Sequence, residues 1–303
     1  MMSDRPIATL LSGGLDSSLV SALVARELRK TGKELARIAE ETPEIIKQQQ
    51  LLQGKVHTFS VGLKGSPDLY YAKMVADYID SVHHHVEFTE KEFLDAIPEV
   101  IKAIQSWDTT TVRASVGNYL IAKYIKENTD FTVIFNGDVS EEVNASYYYS
   151  RFAPSPEAFH EDNITLLREV HQYDVLRSAR CIESQGLESR TPFADQDFIS
   201  YMMHLDPSLK MVNHDGKHPE YQRIEKYLLR KAFDGIGLLP DEVLWRPKEA
   251  FSDGVSNKGR SWHKIIQEYV DSKISDKEFY EGHLHLISLE MGHSLTAVSM
   301  KLM

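Results

Sequence analysis

Cysteine is nearly missing from this chain: Cys181 stands alone among 303 residues. One thiol excludes an intrachain disulfide framework and a cysteine-based zinc site, and it makes the reducing cytoplasm the default compartment. Long apolar runs are missing too, since none approaches the ~18 residues that a membrane-spanning helix needs. The opening Met-Met-Ser-Asp-Arg-Pro lacks the apolar centre of a secretory signal. Positive charge is in deficit: 34 Lys and Arg against 45 Asp and Glu leave a net charge of −11. That balance argues against nucleic acid or an anionic membrane as the main partner. There is no low-complexity tract, internal repeat or flexible linker. What remains, 42% hydrophobic and 26% charged residues, is ordinary for a globular chain of one large or two small domains.

The stretch around which the chain is organised lies near the N-terminus. Ile7 to Leu11 is a short apolar run, Ser12-Gly13-Gly14-Leu15-Asp16-Ser17 follows, and Leu19 to Leu28 carries helix formers at helical spacing. The pattern is buried strand, glycine turn, helix. Adjacent glycines let a ligand approach the backbone closely, and the amides of the turn and first helical turn form a phosphate site. Asp16, an acid beside phosphates, acts there through a divalent cation. No Gly-Lys-Ser/Thr follows, so this is not a Walker loop. The plain alternative is a tight turn with Ser17 as helix cap.

Further strands are expected at Lys55–Gly62, Val82–Phe88 and Phe131–Phe135, the last ending on Asn136-Gly137-Asp138. Helices are expected at 67–78 (capped by Ser66), 90–105 and 116–126, with a polar surface excursion over 29–54. Alternating strands and helices predict an α/β fold, a parallel sheet with helices on both faces. Ligands bind at the carboxyl ends of such strands, where Ser12 to Ser17, Val61-Gly62 and Asn136 to Asp138 all fall. From Pro154 the strand signal fades, and 157–181, 195–204, 222–233 and 261–272 read as helices. A soft boundary near residue 150 divides an α/β core, 1–150, from a helical C-terminal half, 151–303, that completes the active site.

The loop Ser12 to Ser17 resembles the pyrophosphate loop of the N-type ATP pyrophosphatases, and its surroundings resemble the synthetase domain of asparagine synthetases. The likeness recurs, in order, at Phe59–Leu69, Trp107–Ser115, Ala153–Pro156 and Trp245–Gly254, and collinear blocks are far more specific than one loop. It implies an adenine nucleotide α-hydrolase-like fold. It also implies ATP-dependent synthesis of asparagine from aspartate and ammonia through β-aspartyl-AMP, with ATP as substrate and Mg²⁺ as its cation. Leu10, Ser12, Gly13, Gly14, Asp16, Ser17, Val61, Asn136 and Gly137 are then expected at ATP and its pyrophosphate, Leu10 and Val61 through their backbones. Arg113, Arg190 and Asp195 are expected at aspartate. Lys248, in Trp-Arg-Pro-Lys-Glu-Ala-Phe, is expected to stabilise charge growing on phosphate; a lone lysine is otherwise a solvated surface charge. His83-His84-His85 reads as strand residues on alternating faces and Cys181 as a poor nucleophile.

The resemblance breaks in two places. The family's second phosphate loop, Ser-Gly-Glu-Gly-Ser-Asp-Glu, is here Asn136-Gly137-Asp138-Val139-Ser140-Glu141-Glu142. Asp138 keeps the catalytic carboxylate with a shorter reach, and Glu141 replaces a Mg²⁺-chelating Asp. Val139 replaces a glycine and is expected to push the backbone out of any left-handed conformation. The family usually begins with a glutaminase domain whose N-terminal Cys is the nucleophile; here only a few residues stand before the first strand, and Met1-Met2 offers no such Cys. The expectation is therefore use of ammonia directly, or supply by a separate glutaminase subunit, with self-association open. A related amide synthetase with another carboxylate substrate, or a degenerate nucleotide- or partner-binding homologue, are the other readings.

Overall fold

The computed structural model describes residues 5–41, 54–212, 224–257 and 259–275, with Ser3, Lys277 and Glu278. Five parallel strands form one sheet in the order β3-β2-β1-β4-β5. They are β1 (Ile7–Leu10), β2 (His57–Leu63), β3 (Val82–Phe88), β4 (Val133–Phe135) and β5 (Glu188–Arg190). Helices fill every crossover: α1 (Leu15–Glu41), α2 (Pro67–Tyr78), then α3 (Glu90–Ile104) and α4 (Thr109–Asn128). Between β4 and β5 come α5 (Ser140–Asn144), α6 (Pro156–Glu169), α7 (Asp174–Arg177) and α8 (Ala179–Glu183). After β5 follow α9 (Gln196–His204), α10 (Tyr227–Phe233), α11 (Asp241–Leu244), α12 (Phe251–Gly254) and α13 (Trp262–Lys273). No described helix is long and apolar enough to cross a membrane.

The two-residue period of the strands sorts side chains into two cores. Val133 and Phe135 join one cluster with Leu19, Val24 and Val75, while Ile134 between them joins the other with Phe59, Val100, Ile121 and Trp262. Both faces are thus covered, as a parallel sheet requires. The chain winds outward from β1 through β2 to β3, then returns to the far side of β1 as β4. The strand order reverses between β1 and β4, and their carboxyl ends open the crevice in which such folds bind ligands.

Local signals account for the helix starts. Ser66 accepts from Leu69 N with Pro67 in the first turn, and Thr89 forms a capping box with Glu92. Asp108 accepts from Thr111 N at 2.8 Å, which starts α4 seven residues earlier than apolar spacing alone predicts and places Arg113 inside a helix. The helix expected over 157–181 is broken, with Tyr173 at φ −124, ψ −96 separating α7 from the turns before it. β5 is a strand where none was expected; Glu-Ser-Arg carries no apolar signal, and its pairing with β4 is tertiary. α10 begins at Tyr227, after Lys226 in the left-handed region at φ 57; Gln222 and Arg223 lie outside the described residues, as do 42–53 of the expected surface excursion.

The histidine run alternates across edge strand β3. His84 stacks on Phe59 with centroids 4.2 Å apart. His83 bonds Thr58 Oγ1 at 2.8 Å and Ser60 Oγ at 3.1 Å through its two ring nitrogens. Burial first, then the nearby His85, Lys73 and His84, push the His83 pKa down to about 4, with Asp77 opposing. The folded state therefore favours neutral His83, and the stability it contributes is full above pH 6.5 and is lost as pH falls toward 4. His83→Gln, which keeps the hydrogen-bonding capacity, is expected to flatten the fall of Tm across that window. An unchanged slope against the parent protein would remove His83 as the cause.

Candidate active site

A cavity of about 360 Å³ opens at the carboxyl ends of β1, β2 and β4. Its first wall is the loop after β1. Ser12 and Ser17 hydroxyls lie 3.0 Å apart, Gly14 N donates to Ser12 Oγ at 3.3 Å, and Ser12 N donates to Ser17 Oγ at 3.2 Å. Gly13 adopts φ +73, and a Cβ there would stand 2.4 Å from Ala72 N, so α2 packs directly on its backbone. The second wall is the loop after β4. A Cβ on Gly137 would meet Ser17 N at 2.6 Å, so the two loops touch backbone to backbone.

Charges alternate across this junction. Asp16 accepts from Ser140 Oγ at 2.6 Å and from Lys226 Nζ at 2.5 Å. Lys226 reaches on to Glu141 at 2.7 Å, and Lys248 closes on the other Glu141 oxygen at 2.6 Å. Burial opposes the charge on Glu141, but Lys226 and then Lys248 hold its pKa down to about 2. Burial likewise opposes the charge on Lys226, and Asp16 with Glu141 raises it to about 12. Lys248 Nζ also sits 4.6 Å from the Tyr147 ring centre. Its loop is pinned at both sides: Glu225 accepts from Lys248 N at 2.8 Å, and Arg246 donates to Gly13 O at 3.1 Å, pairs with Asp68 and covers Tyr71.

Asp138 lines the same cavity. Burial and then the Asp174 carboxylate push its pKa up to about 7, with a hydrogen bond to Ser178 opposing. Burial and Asp174 raise Glu142 to about 7 as well. This end of the cavity is therefore richer in carboxylates than in cations close enough to neutralise them.

Leu10, Ser12, Gly14, Asp16, Ser17, Val61, Arg113, Asn136, Gly137, Asp138, Glu141 and Lys248 come together in one cavity. Asn136 spends its amide on Ser189 and Ser178 rather than offering it to a ligand. Gly13 serves the loop through its contact with α2. Arg190 does not line the cavity; β5 holds it beside Glu188, 2.6 Å away, and the Phe135 ring. Asp195 is taken up by capping α9, accepting from Asp197 N and Phe198 N. Cys181 is buried, its thiol pushed up to about 12 by burial, which suits its reading as a poor nucleophile. Sequence reasoning missed Lys226, Arg246, Asp174 and Arg177. Arg246 stood in a recognised block; the other three are isolated charges in helical runs, with no local signal.

The expected backbone shift at Val139 does not occur. Val139 sits in the left-handed region at φ 68, ψ −7, as the residue before α5. Its side chain is 1% exposed within the core, so packing holds a conformation that costs a β-branched residue roughly 1–3 kcal/mol. Glu141, two residues on, meets Lys226 and Lys248.

A doubly covered parallel sheet with a glycine loop and two lysines at its switch point defines an α/β protein with a candidate ligand cavity at its strand ends. The chain belongs to the asparagine synthase family, whose model matches residues 1–161 and 151–289. It is 44% identical over 277 residues to the glutamine-hydrolyzing asparagine synthetase of Mus musculus, covering 91% of this chain and 45% of that one. The Homo sapiens protein of that name is 44% identical over 276 residues, and the Gallus gallus one 42% over 276, with 91% of this chain and 44% of each relative covered. The chain spans about half the length of the curated relatives it matches.

Left-handed strain at Val139 has a readout. Val139→Ala loses buried methyls and keeps the strain, while Val139→Gly loses more packing but relieves about 1–2 kcal/mol of it. Denaturant unfolding is expected to place the Gly variant level with or above the Ala variant, the reverse of the order at a right-handed buried site. A Gly variant clearly below Ala would show that Val139 is unstrained.

Proposed function

We propose that the protein makes asparagine from aspartate and ammonia at the expense of ATP. The β-carboxylate of aspartate attacks the α-phosphorus, the bond to pyrophosphate breaks, and β-aspartyl-AMP forms. Ammonia then attacks the acyl carbon and AMP leaves. The observation that carries this reading is the convergence of Lys226 and Lys248 beside the glycine loop. Oriented cations at the point where negative charge grows on a leaving pyrophosphate are the largest contribution a protein can make to such a step. Leu10 and Val61 at the strand ends suit backbone contact with adenine, Ser12 to Ser17 suits the pyrophosphate, and Arg113 suits a substrate carboxylate.

Mg²⁺ fits the residues present. Asp16 and Glu141 both bring carboxylate oxygens, the donors a hard cation takes, to the cavity. That suits a cation carried in on nucleotide phosphates and touched by one or two carboxylates, where it would neutralise phosphate charge. Because β5 from the second half completes the sheet of the first, residues 1–150 and 151–303 act as one catalytic unit. Ammonia is the nitrogen donor to the acyl carbon. One observation favours a second reading, nucleotide binding without turnover: Glu141 occupies both lysines.

Incubation with Mg-ATP, aspartate and ammonium is expected to release pyrophosphate and asparagine in equal amounts, each dependent on aspartate. Lys248→Ala should lower kcat by about 10²-fold with little change in the KM for ATP. Asp16→Asn should abolish pyrophosphate release while the protein stays folded by circular dichroism. Tight ATP binding with no aspartate-dependent pyrophosphate would favour the second reading instead.

A further inference from the structure

Arg246 spends its two terminal nitrogens on different partners. Nη1 donates to Gly13 O at 3.1 Å, joining residues 233 positions apart. Nη2 donates to Asp68 Oδ1 at 3.1 Å and to Glu249 Oε2 at 2.9 Å. The guanidinium lies 4.0 Å from the centre of the Tyr71 ring. Arg246 and Asp68 are 9% and 6% exposed, so these charge-assisted contacts are made away from water, where they are strongest. The anchor is itself fixed: Asp68 and Tyr71 stand on α2, the helix on which Gly13 packs. A planar fork can serve a carbonyl with one nitrogen and carboxylates with the other; a compact ammonium group lacks that geometry.

The carbonyl that Arg246 holds belongs to a peptide between two glycines, where no Cβ resists a flip of the peptide plane. In a trans peptide the oxygen of Gly13 and the N–H of Gly14 point in opposite directions. Gly14 lines the cavity and Gly13 does not. Gly14 N donates to Ser12 Oγ at 3.3 Å, a long bond that an anionic acceptor would improve on. We propose that Arg246 is a positioning residue for the glycine loop: by holding Gly13 O, it keeps the Gly14 N–H presented to the cavity as a donor for a phosphate. With the peptide flipped, the loop would present a carbonyl oxygen there instead, and its negative end repels a polyanion. The identity of the ligand rests on the function proposed above; the orientation of the peptide does not.

Gly13-Gly14 is the single Gly-Gly step in the sequence. The full chain, labelled in glycine alone with the heavy isotopes of carbonyl carbon and nitrogen, therefore gives one NMR signal that correlates a labelled carbonyl with a labelled amide. Without any ligand, Arg246→Ala is expected to shift or broaden that signal, and Asp68→Asn to move it part of the way. Lys248→Ala, on the same loop, should leave it in place. Calorimetric titration with magnesium pyrophosphate and with adenosine gives a second readout. Arg246→Ala should weaken pyrophosphate roughly ten- to a hundredfold and leave adenosine within about twofold. Arg246→Lys keeps the charge and loses the fork, so it should weaken pyrophosphate nearly as much. An unmoved Gly-Gly signal in Arg246→Ala overturns the proposal, and so does a signal that Lys248→Ala moves equally. Pyrophosphate affinity restored by Arg246→Lys with the signal still displaced also overturns it, since charge alone would then be at work. Equal losses for pyrophosphate and adenosine would mean a collapsed site, and the proposal falls. If the unaltered protein binds neither probe, the proposed function falls, while the Gly-Gly signal still decides whether Arg246 holds this peptide.

Discussion

A buried lysine holds the site together. Lys226 is 3% exposed at its side chain and could not remain charged there unaided. It is stabilised by Asp16 from the loop after β1 and Glu141 from the loop after β4, two segments 125 residues apart in the chain. Removing one partner from such a buried arrangement costs about 3–5 kcal/mol, because the remaining charges stay desolvated. The pairing therefore fixes the relative position of the two loops as much as any packing contact. Lys226 itself sits in the left-handed backbone region at φ 57.

Close backbone approach makes this pairing geometrically possible. Gly137 lets the second loop rest on Ser17, and Gly13 lets the first rest on α2. The segment carrying Lys248 is fastened to the same framework. Arg246 ties it to Gly13 and Asp68, Ser66 Oγ donates to Gly254 O at 2.6 Å, and Leu63 N donates to Val255 O at 2.7 Å. A Cβ on Gly254 would collide with the Asp68 carboxylate, which explains a glycine at that point. Lys248 is thus a loop residue held with the precision of a strand end, as positioned charge requires.

What could be read in the sequence follows from where the physical signal resides. The loop at Ser12 to Ser17, the first four strands and the cap Ser66 are local features, and each is legible in a few residues. The α/β class followed from their alternation. β5 was not legible because three polar residues owe their strand conformation to β4. Lys226 and α7 were not legible because an isolated charge shows neither its burial nor its partners, and the break at Tyr173 has no glycine or proline to mark it. Arg190 and Asp195 were expected at aspartate by resemblance alone, with no spacing or pattern of their own behind them. Their side chains are engaged by β5 and by the start of α9.

The altered second loop is best understood through charge and backbone together. Val139 adopts the left-handed conformation that a glycine would take without strain. Glu141 then reaches Lys226 and Lys248 at once, so both cations already have an anionic partner. A nucleotide entering this cavity must exchange those contacts rather than add to them. Until those pairs open, neither lysine is free to stabilise another anion, so what Glu141 gains from them is subtracted alike from the binding of any polyanion and from the stabilisation of charge growing on it.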